Sequence, residues 1–475
     1  MNKQKISYAL ACAAFLGAAA LSPAFADDTV VAGNGAFSGT QVQTNSDSST
    51  NVSQSNNTQA TNTVNVQNDT GNNSADFNTG SSVTIQSGNA NAQVGIENAA
   101  GNNTAQVVGG SQGSQNTTVA GNGAFSDTSV QADNSNDTSV QQTNATNFAN
   151  TVNTQNSTGN NSADFNTGSN VSIGTGDANA TVGISNNAGS NQAAVSGGST
   201  GAGTSAFVGG NGAFSDNTID SNSNSSTSLS QDNTTNMNNS VTQNNSTGGN
   251  SEDFNTGGSV SIWTGNANAF VGISNTAGGN RAFVNGGGSG GQNSNVVVGG
   301  NGAFSTNNVS ARNDMKTALE QSNLTYVANY IATMNDTGNN AASFNTGDSV
   351  NLTTGNANAG VTVFNTAGSN QATVVSPTIF ANAALAQIFS NGAFSNNNVS
   401  LSRNTSTRVQ QDSDSMFTNS IMATNKTGNN NSDFGTSMLE PFLFFGNFGM
   451  SNIQSGEANV SLGLFDLASA NSLSL

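Results

Sequence analysis

The sequence predicts an all-β protein, a repetitive β-solenoid-like or cross-β stack of five units of about 89 residues. Three observations predict it. The phrase Asn-Gly-Ala-Phe-Ser occurs five times, centred on Phe37, Phe125, Phe214, Phe304 and Phe394, at spacings of 88, 89, 90 and 90 residues. The local apolar period is two rather than that of a helix. Pro is absent between Pro23 and Pro377, as continuous β-ladders require.

The first element is an export leader. Lys3 and Lys5 form a basic start, Ile6 to Leu21 an apolar stretch, and Ala24-Phe25-Ala26 a small-x-small cleavage site. Residues 1–26 therefore read as a signal peptide, and the processed chain carries no membrane span. Cys12 lies in the leader, so disulfides and thiolate metal sites are not expected downstream of it.

Five units follow: 27–118, 119–207, 208–297, a divergent 298–388 and a divergent 389–475. Each carries the same landmarks in the same order. A Gln recurs after the Phe, at Gln54, Gln142, Gln231, Gln321 and Gln411, and these are candidates for a stacked row. A Thr-Gly-Asn-Asn corner or its variant comes next, beginning at Thr70, Thr158, Thr247, Thr337 and Thr427. A second Phe follows, at Phe77, Phe165, Phe254, Phe344 and Phe434. Both Phe rows are expected in the repeat core at coil boundaries. For the Asn-Gly-Ala-Phe-Ser row the other reading is an exposed aromatic row for adhesion.

The clearest strand follows a Gly-Asn-Ala-Asn-Ala phrase. Val94 and Ile96, Val182 and Ile184, Val271 and Ile273, and Val361 and Val363 share one alternating register and are expected to point inward. Val83 and Ile85 start a shorter strand, with others expected at Thr63–Val66, Ala75–Phe77 and Thr104–Val107. The inward residues are small, which suits a narrow coil, so each unit is expected to divide into about four coils of roughly 22 residues. Around Met315–Ala332 the spacing drifts toward that of a helix.

Composition excludes several functions. Charged residues are 7% of the chain where about 25% is usual. There is no His, and no Lys or Arg occurs between Lys5 and Arg281. Such a surface cannot neutralise phosphates, so nucleic acid is not an expected partner. Catalysis with a His base is impossible. The recurrent Asp76, Asp164, Asp253 and Asp433 read as turn residues, since unit four has Ser343 there. No enzyme is expected, and no carboxylate is expected to titrate near neutrality. Calcium is the one cofactor considered, through Asp133, Asn134, Asn136 and Asp137, or Asp412 and Asp414.

Ser48 to Gln54 and Ser225 to Gln231 show a Ser-x5-Gln opening, and Gly71 and Gly101 begin Gly-Asn-Asn corners. In these features the chain resembles the curlin family of bacterial functional amyloids. It departs from that pattern at Gln59, where Asn is expected, and in its period of about 89 rather than 22 residues. The resemblance implies an extracellular or cell-surface fibre subunit that self-associates, with an outer-membrane export pore and a nucleator as partners. A rod-like β-solenoid adhesin or surface-layer component is the first alternative, and an ice- or polysaccharide-binding module the second. Units four and five hold every Lys and Arg downstream of the leader except Arg281, together with Pro377, Pro441 and the Phe442–Phe445 insert. They are expected to cap or anchor the stack.

Overall fold

The computed structural model describes residues 4–11, 25–110, 112–197, 204–286, 295–347, 349–375, 385–432 and 450–475. All of its regular structure is β. Two strands, β1 (Gln4–Ala11) and β2 (Phe25–Ala32), precede the first complete layer. That layer, rung one, contains β3 (Gly39–Asp69), β4 (Val83–Gln86), β5 (Ala90–Ala99), β6 (Asn103–Val108) and β7 (Gln112–Ala120). Rung two contains β8 (Asp127–Ser157), β9 (Val171–Gly174), β10 (Ala178–Asn187), β11 (Asn191–Ser196) and β12 (Thr204–Gly209). Rung three contains β13 (Asp216–Ser246), β14 (Val260–Trp263), β15 (Ala267–Thr276), β16 (Asn280–Asn285) and β17 (Asn295–Gly299). Rung four contains β18 (Thr306–Asp336), β19 (Ser349–Thr353), β20 (Ala357–Thr366), β21 (Asn370–Val375) and β22 (Leu385–Phe389). Rung five contains β23 (Asn396–Lys426), β24 (Met450–Gln454), β25 (Ala458–Leu467) and β26 (Asn471–Ser474).

Every strand pairs in parallel with its equivalent one rung away, and homologous residues face each other: Val94 pairs with Val182, Val182 with Val271, and Val271 with Val361. The five sheets are therefore stacks of one strand type each, such as β3-β8-β13-β18-β23. This corrects the expected subdivision. A unit is one rung of about 89 residues, not four coils of 22, because its hydrogen bonds run to the neighbouring unit. Even the connecting arcs obey this, as Thr70 N–H donates to Ser157 and Phe77 N–H to Asp164.

Within a rung the chain makes one long outward run and returns. The 31-residue strand β3 reaches about 100 Å. Its inward residues meet the returning strands: Val64 and Val66 pack with Val94 and Ile96, Val52 with Ala105 and Val107, and Val42 with Val119. Strand β4 closes the far end, where Val83 and Ile85 pack near Ala75. A period of two kept throughout makes such a run possible, since alternate residues, Val and Ala together with Thr, Asn and Gln, face inward along its whole length.

Two other expectations are corrected. Met315–Ala332 lies inside β18, because Met315, Leu319, Val327 and Ile331 are buried on an alternating face paired to β13 on one side and β23 on the other. Ala75–Phe77 is part of an arc rather than a strand, flanked by isolated bridges at Ser74 and Thr79 and bonded to the next rung through the Ala75 and Phe77 N–H groups. Residues 12–24 of the expected leader, Phe434, Pro377, Pro441 and the Phe442–Phe445 insert lie outside the described residues. Leader residues Gln4–Ala11 pair in parallel along the edge of β5.

Candidate functional site

The residues expected in the core divide into two groups. Val94, Ile96, Val182, Ile184, Val271, Ile273, Val361 and Val363 form one continuous buried column with Val64, Val152, Val241 and Ile331 opposite. The Phe rows lie elsewhere. Phe125, Phe165, Phe214, Phe254, Phe304 and Phe344 are 46–49% exposed, so these rows are surface ladders rather than core. The physical reason is their backbone. Phe37, Phe125, Phe214, Phe304 and Phe394, with Phe77, Phe165, Phe254 and Phe344, all adopt φ between 55° and 62°. That left-handed turn conformation swings each ring out of the layer and costs an L-residue roughly 1–2 kcal/mol.

What offsets the strain is stacking. Phe37 lies on Phe125 with ring centroids 4.9 Å apart and planes within 2°, and the row continues through Phe214 and Phe304 to Phe394. The second row repeats this from Phe77 to Phe344. The ring spacing equals the spacing of paired strands, so each ring follows its own rung. At the ends the support is halved: Phe37 is 77% and Phe394 82% exposed.

The Gln residues form the row their spacing suggested. Gln142 Nε2 donates to Gln54 Oε1 at 2.7 Å, Gln231 to Gln142, Gln321 to Gln231 and Gln411 to Gln321. Sequence reasoning missed a larger feature, the Asn ladders inside the core. Asn62, Asn150, Asn239, Asn329 and Asn419 bond in series, each Nδ2 donating to the next Oδ1 at 2.8 Å. Facing them across the layer, Asn98, Asn186, Asn275 and Asn365 do the same, and Asp466 ends the series. Cross-links such as Asn186 to Asn239 join the two ladders. The signal was present: Asn62, Val64 and Val66 are two apart, so an inward Val implies an inward Asn.

The carboxylates do not converge. No group of three or more His, Cys, Asp or Glu placed to hold a metal occurs among the described residues. In the calcium candidate of unit two, alternation sends Asn134 and Asn136 into the core while Asp133 and Asp137 stay on the outer face. Asn136 is used internally, donating to the Gly110 carbonyl. Asp412 and Asp414 share the outer face of β23. The Asp76 row serves the backbone: the Asp164 N–H donates to Asp76 at 2.8 Å and the Asp253 N–H to Asp164 at 2.7 Å. Burial raises the Asp76 carboxyl, but that N–H with the Ser74 and Ser162 hydroxyls outweighs it and holds the group below its usual value.

Among the described carboxyls, Glu252 departs furthest from ordinary titration. Glu252 stands in the column where rungs one, two and four have Ala75, Ala163 and Ala342 and rung five Ser432, and it is fully buried. Burial pushes it well above the usual range; the backbone N–H groups of Ser261 and Ile173 pull the other way without reaching good hydrogen-bond geometry.

The remaining candidate surfaces are the two ends. Among the described residues, β3 and β23 each pair along one edge only, as do β2 and β22. On β22, Leu385, Ile388 and Phe389 are about half exposed, whereas Val119, Val208 and Val298 in the Ile388 column are fully buried. No helix of the described residues is long and apolar enough to cross a membrane. No protein-family model, curated protein or solved structure matches the chain.

Proposed function

We propose that this protein is the subunit of an extracellular fibre, exported with residues 1–26 as its leader and laid down at the cell surface or in a biofilm matrix. One observation carries the reading: the Gln and Phe ladders run in register through the rungs, and among the described residues β3 and β23 each keep one unpaired edge. Unpaired strand edges of 31 residues are templates for further strands. Identical side chains stacked at the strand spacing, with Asn and Gln ladders, are the features that stabilise cross-β fibres. An export pore and a nucleator are partners this role calls for. The test is incubation of the processed chain, followed by thioflavin binding and fibre diffraction. Reflections near 4.7–4.8 Å and about 10 Å are expected. A chain that stays monomeric at high concentration sinks the reading.

A second reading is favoured by the outer surface. The exposed Phe ladders present stacked rings to solvent. A folded adhesin or surface-layer component would use such rows to bind apolar or carbohydrate surfaces. Solubility of the processed chain together with binding lost in Phe214→Ala and Phe254→Ala would favour it.

A further inference from the structure

We propose that copies of this chain add head to tail, with residues 28–32 of the incoming copy filling the free edge of β22, and that Gln4–Ala11 blocks this addition until it is removed. The inference rests on the fibre reading and names its partner, a second copy in one register.

The two ends are complementary strand by strand. Rung five offers β23, β24, β25 and β26, and rung one offers β3, β4, β5 and β6, the same four strand types. The fifth type differs. It is absent from rung five among the described residues, whereas β2 supplies it below rung one. If β3 of the incoming copy seats on β23 in the register used throughout, its β2 falls beside β22. Val31 then covers Ile388 and extends the column of Val119, Val208 and Val298, in which Ile388 is 50% exposed.

The ladders continue across this joint. Phe37 meets Phe394, the two most exposed rings of their row. Gln54 meets Gln411; its Nε2 stands where Gln142 Nε2 stands toward Gln54 Oε1. Lys426 meets Asp69, since both lie in the Ser157, Ser246 and Asp336 column, and the pair has opposite charge. One strand stands in the way. The edge of β5 that must receive β25 is occupied by Gln4–Ala11. Cleavage after Ala26 frees that edge and leaves Asp28–Ala32 in place.

Val30 and Gln387 occupy equivalent outward positions on β2 and β22 and test the joint. Within one copy they are four strand spacings apart, about 19 Å, and across the joint they are adjacent. The processed chain carrying Val30→Cys and Gln387→Cys, treated with a thiol cross-linker too short to span four strands, should give a ladder of covalent oligomers. Each single variant should give none. Gly428→Ala supplies a second test. A Cβ there meets nothing within 4 Å in a single copy, whereas one on Gly338 would lie 1.7 Å from the Gly428 carbonyl oxygen. Across the joint Gly428 takes the corresponding place against Gly71, so Gly428→Ala should keep its unfolding temperature and lose the ladder. The unprocessed chain, with Cys12→Ser to leave only the introduced thiols, should lose the ladder too.

Fibres without a ladder from the double variant overturn head-to-tail addition and leave the fibre reading standing. Cross-linked dimers from Val30→Cys alone mean head-to-head contact and overturn it as well. Absence of any polymer overturns both. An unprocessed chain that ladders as fast as the processed one overturns the block by Gln4–Ala11.

Discussion

Rung three and rung five have the same strand plan and opposite circumstances. Strand β13 is covered by β8 and β18, whereas β23 is covered by β18 alone. The inward residues Ile219, Leu229, Met237 and Val241 are fully buried; their counterparts Val399, Val409, Phe417 and Ile421 are only partly buried. Outer chemistry differs as well. Strand β13 contains Asp216, Asp220 and Asp232 and no cation, and β23 contains Arg403, Arg408 and Lys426. Arg403 points inward, in the column of Asn134, Ser223 and Asn313. The comparison teaches that burial in this fold belongs to the neighbour above and below rather than to the rung itself. An interior position is costly to change, and the same position at the end is cheap until another strand covers it.

The largest expected effect sharpens that contrast in the central column. Val271→Asp buries an unpaired charge between Val182 and Val361 and should cost roughly 3–5 kcal/mol. Leu462→Asp, at the equivalent place on rung five where Leu462 is exposed, should leave thermal unfolding of the monomer nearly unchanged. Equal losses from the two would break the comparison.

Glycine at the Thr-Gly-Asn-Asn corner gives a second contrast of similar kind. A Cβ on Gly248 would lie 1.7 Å from the Gly338 carbonyl oxygen, so Gly248→Ala must part rungs three and four locally. Chemical denaturation should place its loss at about 2–4 kcal/mol, the range of backbone and packing defects. Should Gly248→Ala unfold like the parent chain, the close approach of rungs at this corner is not a constraint.

Glu252 distinguishes rung three from its neighbours in a pH-dependent way. Its folded pKa is raised, so the stability it allows is fully present below the unfolded carboxyl pKa of about 4.3 and is lost as pH rises through the folded value. Glu252→Ala restores the residue of rungs one, two and four and should raise stability at pH 8 by about 1–3 kcal/mol, with little effect at pH 4. Denaturant titrations at both pH values measure this; a gain that is the same at the two would mean Glu252 is not the titrating group.

The smallest effect lies at Asp466. It ends the ladder of Asn98, Asn186, Asn275 and Asn365 by accepting from Asn365 at 2.7 Å, and an ionised carboxylate has no N–H to hand onward. Asp466→Asn should improve addition of the next copy by about 1 kcal/mol, seen as a fivefold lower critical concentration for assembly. An unchanged or higher critical concentration would show that the ladder does not cross the joint.

Much of the fold was legible because the repeat is literal. Five copies of one phrase imply five equivalent units, and two-residue alternation around Val94, Val182, Val271 and Val361 implies strands with one buried face. The Gln row was legible for the same reason, since equal spacing puts like residues over one another once layers stack. The Asn ladders were readable in principle and were overlooked, because a polar residue in phase with Val is read by habit as exposed. The Phe rows could not be placed this way. Their exposure depends on a left-handed φ in the turn, and no pattern of residue types distinguishes that from a core Phe.

By itself, the amino-acid sequence determined the class, the five units and the shared register of their Val and Gln positions, because these follow from periodicity alone; that each unit is a single layer came from pairing between units. Only the tertiary structure decided how far the chain runs before it returns. A strand of seven residues and one of 31 alternate identically, and what ends β3 is the arc at Thr70–Ser82 closing against the arc above it. Only the tertiary structure decided that the Phe rows face solvent, how a lone Glu252 fares among alanines, and where unpaired edges remain among the described residues. Those outcomes depend on neighbours 88 to 90 residues away, and local propensity carries no information about them.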